Sequence, residues 1–197
     1  MNIRLLVSMV MSPLLAGSLL SATRAQETLF TFDGNSALCC VSGCSDLDND
    51  GYRELLVSEP GFAGGRARVY SGYDGQLLHE FAGQILCNTG QSLGRAIDDA
   101  GDWDGDGVSD ILVSSPSFGN PPMCDIPRRG KITVYSGTTW NVLFEAFGES
   151  VLDQLGVRAR GLGDVNGDGF ADVGATEHNV DAWIYLGPNG VVWRHHT

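Results

Sequence analysis

Basic residues are scarce in this sequence. Its 197 residues include 12 lysines and arginines but 24 aspartates and glutamates, which gives a formal net charge of −12. Such a surface repels nucleic acids and anionic membranes. The one adjacent pair of cations, Arg128-Arg129, is too small to offset it. The composition therefore predicts no nucleic-acid partner.

The residues that usually carry catalysis are also few. The sequence has four histidines and five cysteines, and their spacing fits no common zinc site. It contains no G-x-S-x-G motif and no cysteine–histidine pair in a supporting frame. The sequence therefore predicts a protein that is not an enzyme.

Long apolar runs are limited to a single one, from Leu5 to Leu20. Arg4 precedes this run, and small residues follow it up to Ala25, which is the layout of a secretory signal peptide, residues 1–25. The alternative is an uncleaved membrane anchor, but the run is short and a proline and a glycine interrupt it. We expect a secreted or extracytoplasmic protein that does not insert into a membrane after cleavage.

Glycine is abundant, with 27 copies, and the chain repeats itself. Three segments share one frame: CCVSGCSDLDNDGYRELLVSEP from Cys39, RAIDDAGDWDGDGVSDILVSSP from Arg95 and VRARGLGDVNGDGFADVGATEH from Val157. After each come two more short alternating segments, and no convincing helix follows the signal peptide. Four antiparallel strands in a unit of about 60 residues match one propeller blade. The predicted blades span residues 37–84, 85–148 and 149–197.

One further strand is predicted before the first blade, within residues 26–36. The segment ETLFTFDG, from Glu27, is similar to the fourth strand of the other units. It is the outer strand either of a ring that closes on the last blade or of a preceding blade that has been lost. The residues alone leave both alternatives open.

Each repeat contains one acidic loop with oxygen side chains at positions 1, 3, 5 and 9 and a glycine at position 6. Ca²⁺ prefers six to eight oxygen ligands, and a backbone carbonyl at position 7 would add to the side chains. We expect the position-7 side chains to point to the core and the glycine to have a positive φ. The predicted ligands of about three Ca²⁺ ions are Asp46, Asp48, Asp50, Tyr52, Glu54, Asp102, Asp104, Asp106, Val108, Asp110, Asp164, Asn166, Asp168, Phe170 and Asp172.

An EF-hand and a metal-free turn fit these loops less well than a calcium-bound corner does. An EF-hand needs a glutamate at position 12, where this chain has Val57, Val113 and Ala175. A turn without metal would account for one loop, but three sets of crowded carboxylates repel one another unless a cation is bound. Oxygen-only ligands disfavour zinc and copper, and a large carboxylate-rich cage disfavours Mg²⁺.

These motifs resemble the FG-GAP repeats, the blades of the integrin α-subunit β-propeller. Leu93-Gly94 and Leu155-Gly156 stand at the "FG", Ser58-Glu59-Pro60 and Ser114-Ser115-Pro116 stand at the "GAP", and the loops match the D-x-D-x-D-G-x-x-D calcium site. The resemblance implies an all-β fold of three four-stranded antiparallel blades plus one N-terminal strand.

Family propellers usually have about seven blades, so the resemblance implies a partial or open propeller here. The resemblance leaves three alternatives open: a truncated gene product, an open blade array, or a subunit that completes a ring by oligomerising. The first repeat also departs from the pattern, with Ala37-Leu38 at the "FG" and Glu54 at position 9.

The resemblance also implies a disulfide between Cys87 and Cys124, since their connections share the face opposite the loops. Among Cys39, Cys40 and Cys44 at most one bridge is possible, and the adjacent pair is not expected to form it. All three could instead be small apolar residues of the first strand.

The predicted function is a non-enzymatic adhesion or ligand-binding module with structural calcium. The partner would be an extracellular protein or glycan, bound on the face that contains residues 118–129. The alternative is an accessory domain of a polysaccharide-active or other hydrolytic enzyme.

Overall fold

A computed structural model of the chain describes residues 3–7, 30–34, 38–86, 89–119, 128–178 and 181–196, and these residues contain strands and turns but no helix. The sixteen strands are β1 (Ile3–Val7), β2 (Phe30–Gly34), β3 (Cys40–Gly43), β4 (Leu55–Glu59), β5 (Arg66–Tyr70), β6 (Leu77–Ala82), β7 (Ile85–Leu86), β8 (Thr89–Gly90), β9 (Ile97–Gly101), β10 (Asp110–Ser114), β11 (Lys131–Tyr135), β12 (Val142–Phe147), β13 (Arg158–Gly163), β14 (Asp172–Thr176), β15 (Ala182–Leu186) and β16 (Val191–His196).

Twelve of these strands form three sheets of four, each antiparallel and in sequence order. The first sheet is β3–β6, the second is β9–β12 and the third is β13–β16. The predicted all-β fold of three four-stranded units is thus confirmed. Within the described residues the first and third sheets do not pair, so the blades do not form a closed ring.

The N-terminal strand predicted within residues 26–36 corresponds to β2. It pairs antiparallel with β1, in a register that places Phe30 opposite Val7 and Gly34 opposite Ile3. β1 lies inside the predicted signal peptide, so cleavage after Ala25 would remove the partner of β2. The cleavage itself stays a prediction.

The three sheets stack face to face because their strands alternate apolar side chains between two faces. The first core lies between the first and second sheets and includes Leu56, Val69 and Ile111, all fully buried. The second core lies between the second and third sheets and includes Leu112 and Val173, equally buried. The middle sheet therefore contributes to both cores.

The first strand of each sheet faces the first strand of the next. Asp98 on β9 links all three, since its carboxylate accepts a hydrogen bond from the Ser42 hydroxyl at 2.6 Å and pairs with Arg160 at 3.3 Å. The same carboxylate accepts the Gly161 N–H at 3.2 Å. These contacts hold β3, β9 and β13 side by side.

The connection that enters each sheet packs on the preceding sheet. Leu93 forms a parallel bridge with Gly65, and Leu155 forms the equivalent bridge with Gly130. The connection between β4 and β5 thus meets the one between β6 and β9. The connection between β10 and β11 meets the one between β12 and β13 in the same way.

Candidate metal sites

Each acidic loop forms the corner between the first two strands of its sheet. The loops follow β3, β9 and β13, and position 9 lies at or next to the start of β4, β10 and β14. All three corners lie at the edge of the stack where Leu47 approaches Gly137 and where the Trp103 indole N–H donates to the Pro188 carbonyl at 3.2 Å. The fold therefore presents the three loops at one end of the stack.

The backbone of each loop folds around its own carboxylates in the same way. The position-1 aspartate accepts the N–H of the position-6 glycine, at 2.9 Å in the first loop, 3.0 Å in the second and 2.9 Å in the third. The position-5 aspartate accepts the N–H of position 7, at 2.8, 2.8 and 3.0 Å. Three copies with one pattern indicate a common geometry rather than three independent turns.

The position-6 glycines have the expected left-handed backbone. Their φ angles are +91° at Gly51, +88° at Gly107 and +95° at Gly169. Residues with a Cβ adopt such angles only at a cost, so the sharp turn explains why glycine occurs at this position in all three loops.

The structure brings the oxygen side chains of positions 1, 3 and 5 together. Asp46, Asp48 and Asp50 each offer an oxygen within 4.8 Å of the others, and Asp102, Asp104 and Asp106 do the same. In the third loop Asn166 replaces one acid, and its side-chain amide donates to Asp168 at 2.8 Å. The donor set is all oxygen, which suits a hard cation such as Ca²⁺.

The position-9 acids lie beneath the loops and are fully buried. Asp110 accepts the N–H groups of Trp103 at 2.8 Å and Gly137 at 3.0 Å, and Asp172 accepts those of Val165 at 2.8 Å and Gly187 at 3.0 Å. These carboxylates thus tie each loop to its own strands. That the position-9 acids also bind the metal stays a prediction.

Glu54 differs from its two counterparts in a way that bears on metal binding. Its Oε1 accepts the N–H of Leu47 at 2.6 Å and of Asp48 at 3.3 Å, whereas its buried Oε2 has no hydrogen-bond partner within the described part of the chain. A buried carboxylate oxygen without a partner is costly. Glu54 lies close enough to Asp46 and Asp48 to interact with their charges, and this all-oxygen set fits a bound cation.

Burial also acts on the protonation of these acids. Burial raises the pKa of Asp110, the N–H donors of Gly137 and Trp103 oppose the shift and the charges of Asp104 and Asp106 add to it, so that the pKa is about 6. Burial likewise raises the pKa of Glu54. At the exposed Asp164, the Gly169 N–H and other backbone donors lower the pKa. A bound cation would favour the charged forms of Asp110 and Glu54 and so oppose the effect of burial.

Two hydroxyl groups were missed by the sequence analysis. Ser71 donates to Asp50 Oδ2 at 3.0 Å, and Thr138 donates to Asp106 Oδ2 at 2.8 Å. Both come from the turn between the third and fourth strands of the same sheet. The recurrence of Tyr-Ser-Gly at the end of β5 and β11 was the signal that could have shown this turn to be near the loops.

The position-7 side chains do not all behave as expected. Tyr52 is 37% exposed and packs on Tyr73, with ring centroids 5.2 Å apart, so the expectation that it points to the core is wrong. Phe170 is half-buried and lies against Gly105 of the preceding loop. Val108 is also half-buried. At position 7, therefore, Phe170 contacts the neighbouring acidic loop, whereas Tyr52 contacts the turn after β5 of its own sheet.

The structure tests the predictions for three of the five cysteines. Cys39, Cys40 and Cys44 are free thiols, and Cys44 is fully buried in the first core, as the small-apolar alternative predicts. Cys87 and Cys124, and most of the 118–129 connection, lie outside the described residues. The proposed disulfide between them stays a prediction.

Comparison with known proteins assigns this architecture to a class. The FG-GAP-like repeat matches residues 46–113, which run from the first acidic loop into β10. Together with the three four-stranded sheets, this match makes the chain an FG-GAP repeat protein whose sheets are β-propeller blades.

Among curated proteins the chain is similar to integrin α subunits. It is 30% identical to human integrin alpha-IIb over 148 residues, which cover 66% of this chain and 14% of that protein. It is 32% identical to integrin alpha-4 of Xenopus laevis over 132 residues, covering 62% and 12%. The matched part thus spans no more than about a seventh of these relatives.

The described residues contain no helix that is long and apolar enough to cross a bilayer.

Proposed function

We propose that this chain is an extracellular calcium-binding propeller module that binds a protein or glycan ligand and catalyses no reaction. Calcium would be structural, with one ion in each of the three acidic loops. The observation that carries the proposal is the triplicate loop frame, in which carboxylates converge beside a buried acid at position 9.

The physical argument is electrostatic. Carboxylate oxygens within 4.8 Å of one another repel, and the repulsion is not relieved by nearby arginine or lysine in the ion pairs of the described residues. Backbone N–H groups neutralise it in part. A divalent cation would remove it and would join the two strands at each corner.

The first test is calcium-dependent stability. Thermal unfolding is measured with about 10 mM calcium and with a chelator, and each loop should contribute about 1.4 kcal/mol when free calcium is about tenfold above its dissociation constant. Magnesium at the same concentration should stabilise less. Equal melting temperatures with calcium and chelator would refute the metal assignment.

The second test counts the sites. Titration calorimetry of the unaltered chain should give about three ions, and Asp48→Ala, Asp104→Ala and Asn166→Ala should each remove one. Asp74→Ala is the matched control because Asp74 is an exposed acid outside the loops. Loss of a site in the control, or no loss in the loop variants, would contradict the proposed ligands.

The ligand is tested separately. A screen of extracellular-matrix proteins and glycans, run with calcium and beside a hydrolase panel, should give binding without turnover. Turnover that survives purification would instead support the accessory-enzyme alternative.

A further inference from the structure

The third sheet leaves exposed a face that the first two sheets bury. We call it the trailing face and define it by the exposed Leu162, Val165 and Trp193 and the half-buried Ile184. Leu162 is 41% exposed, whereas Cys44 and Ala100, at the same position of the first two repeats, are fully buried. The repeat therefore places an apolar side chain here to meet a following sheet.

Val165 shows the same contrast at position 2 of its loop. In the second repeat this position is Trp103, which is fully buried and donates its indole N–H to the Pro188 carbonyl of the third sheet. In the first repeat it is Leu47, which reaches Gly137 of the second sheet. Val165 is 38% exposed. Two of the three copies thus insert into the next sheet.

The first sheet exposes part of the complementary side at Val41, Tyr52 and Tyr73, which we call the leading face, whereas Val57 on the same side of β4 is buried. Val41 is 44% exposed, whereas its counterparts Ile97 and Ala159 are buried against the preceding sheet. Tyr73, at 63% exposure, occupies the position of Pro188. The side that receives a preceding sheet is therefore also present.

Both internal interfaces show how the two faces fit. Cys44 shares the first core with Ile97, and Ala100 shares the second core with Ala159. The same relation would join Leu162 of one chain to Val41 of another. In the same way Phe170 lies against Gly105, so Tyr52 of one chain would lie against the position-4 residue Gly167 of its neighbour.

We infer that the trailing face docks on the leading face of a second copy of this chain, head to tail, as a continuation of the two interfaces inside it. A second copy fits because one chain carries both exposed halves, in the repeat positions that already meet twice within it. Such a contact is heterologous, so an open assembly keeps one free leading face and one free trailing face, at its two ends, until it closes into a ring. The inference rests on the blade stacking and not on the proposed calcium or ligand binding.

The experiment measures mass in solution by light scattering and sedimentation, in calcium, up to about 200 µM chain, which detects micromolar dissociation constants. The unaltered chain should show multiples of the monomer mass that grow with concentration. Leu162→Asp, on the trailing face, and Val41→Asp, on the leading face, should each weaken association at least tenfold. Val142→Asp is the matched control, since Val142 is 52% exposed and lies on neither face.

Mixing Leu162→Asp with Val41→Asp tests directly whether the two faces bind each other. Each variant keeps one intact face, so an equimolar mixture should form a one-to-one dimer although neither variant associates alone. Circular dichroism and calcium titration of each variant, expected to match the unaltered chain, exclude misfolding and loss of metal. A monomeric unaltered chain, or a mixture that stays monomeric, would overturn the inference and leave the trailing face to a later segment of a longer polypeptide.

Discussion

At the residue scale, the position-9 acids perform a task that the spacing of the ligands does not reveal. Asp172 is fully buried and accepts two N–H groups, one from Val165 in its own loop and one from Gly187 in the turn after β15. It therefore connects the loop to the outer half of the sheet. Asn166, at position 3 of the same loop, is exposed and bonds only within the loop.

This difference predicts two separate effects within one loop. Asp172→Ala should lower the free energy of unfolding by about 2–4 kcal/mol in chelator, because two buried N–H groups lose their acceptor. Asn166→Ala should change it by less than about 0.5 kcal/mol in chelator while reducing calcium binding. Urea denaturation in chelator measures both values. Similar losses from the two substitutions would show that position 9 has no special structural role.

At the scale of the element, the segment that leads into the second or third sheet passes very close to the backbone of the sheet before it. Gly65 has a φ of +95°, and a Cβ at this position would overlap the backbone nitrogen and oxygen of Leu93. Gly94 likewise lies against Ser58. The "FG" and "GAP" segments are thus two sides of one contact between successive sheets.

Gly65→Ala should lower the free energy of unfolding by about 3–5 kcal/mol, since backbone strain adds to steric overlap. Gly107→Ala is the matched control: its φ is +88°, but nothing lies within 4 Å of the added Cβ. It should cost about 1–2 kcal/mol, the strain alone. Both are measured in chelator by urea denaturation. Equal costs would mean that the chain can relax around Leu93 without loss of stability.

At the scale of the whole molecule, the second sheet joins the two cores. Ile111 and Leu112 are neighbours in β10 and are both fully buried, but Ile111 belongs to the first core and Leu112 to the second. Because one strand packs on both sides, loss of either core exposes the same sheet. The three sheets should therefore unfold together.

Ile111→Ala and Leu112→Ala test this directly. Each should lower the free energy of unfolding by about 2–5 kcal/mol through loss of buried contacts. Each variant should keep a single transition, with the same midpoint by tryptophan fluorescence and by circular dichroism. Two separated transitions in either variant would show that the first and third sheets unfold independently.

Much of this architecture could be predicted from repeats alone. The alternation of apolar residues indicated four strands per unit, and the acidic loop with glycine at position 6 predicted the corner and its positive φ. The side on which Tyr52 lies could not be predicted, because an aromatic residue at position 7 packs on whichever loop is adjacent. The hydrogen bonds from the Ser71 and Thr138 hydroxyls to the loops could not be predicted either, because they join segments more than 20 residues apart.

The sequence by itself determined the repeat, the strand order within each sheet and the convergence of oxygen ligands, because these depend on local periodicity and backbone turns. Only the tertiary structure decided which faces are covered. Trp103 and Val165 occupy the same repeat position, yet one is buried and the other exposed. The physical reason is that burial depends on the neighbouring sheet and not on the residue's own segment.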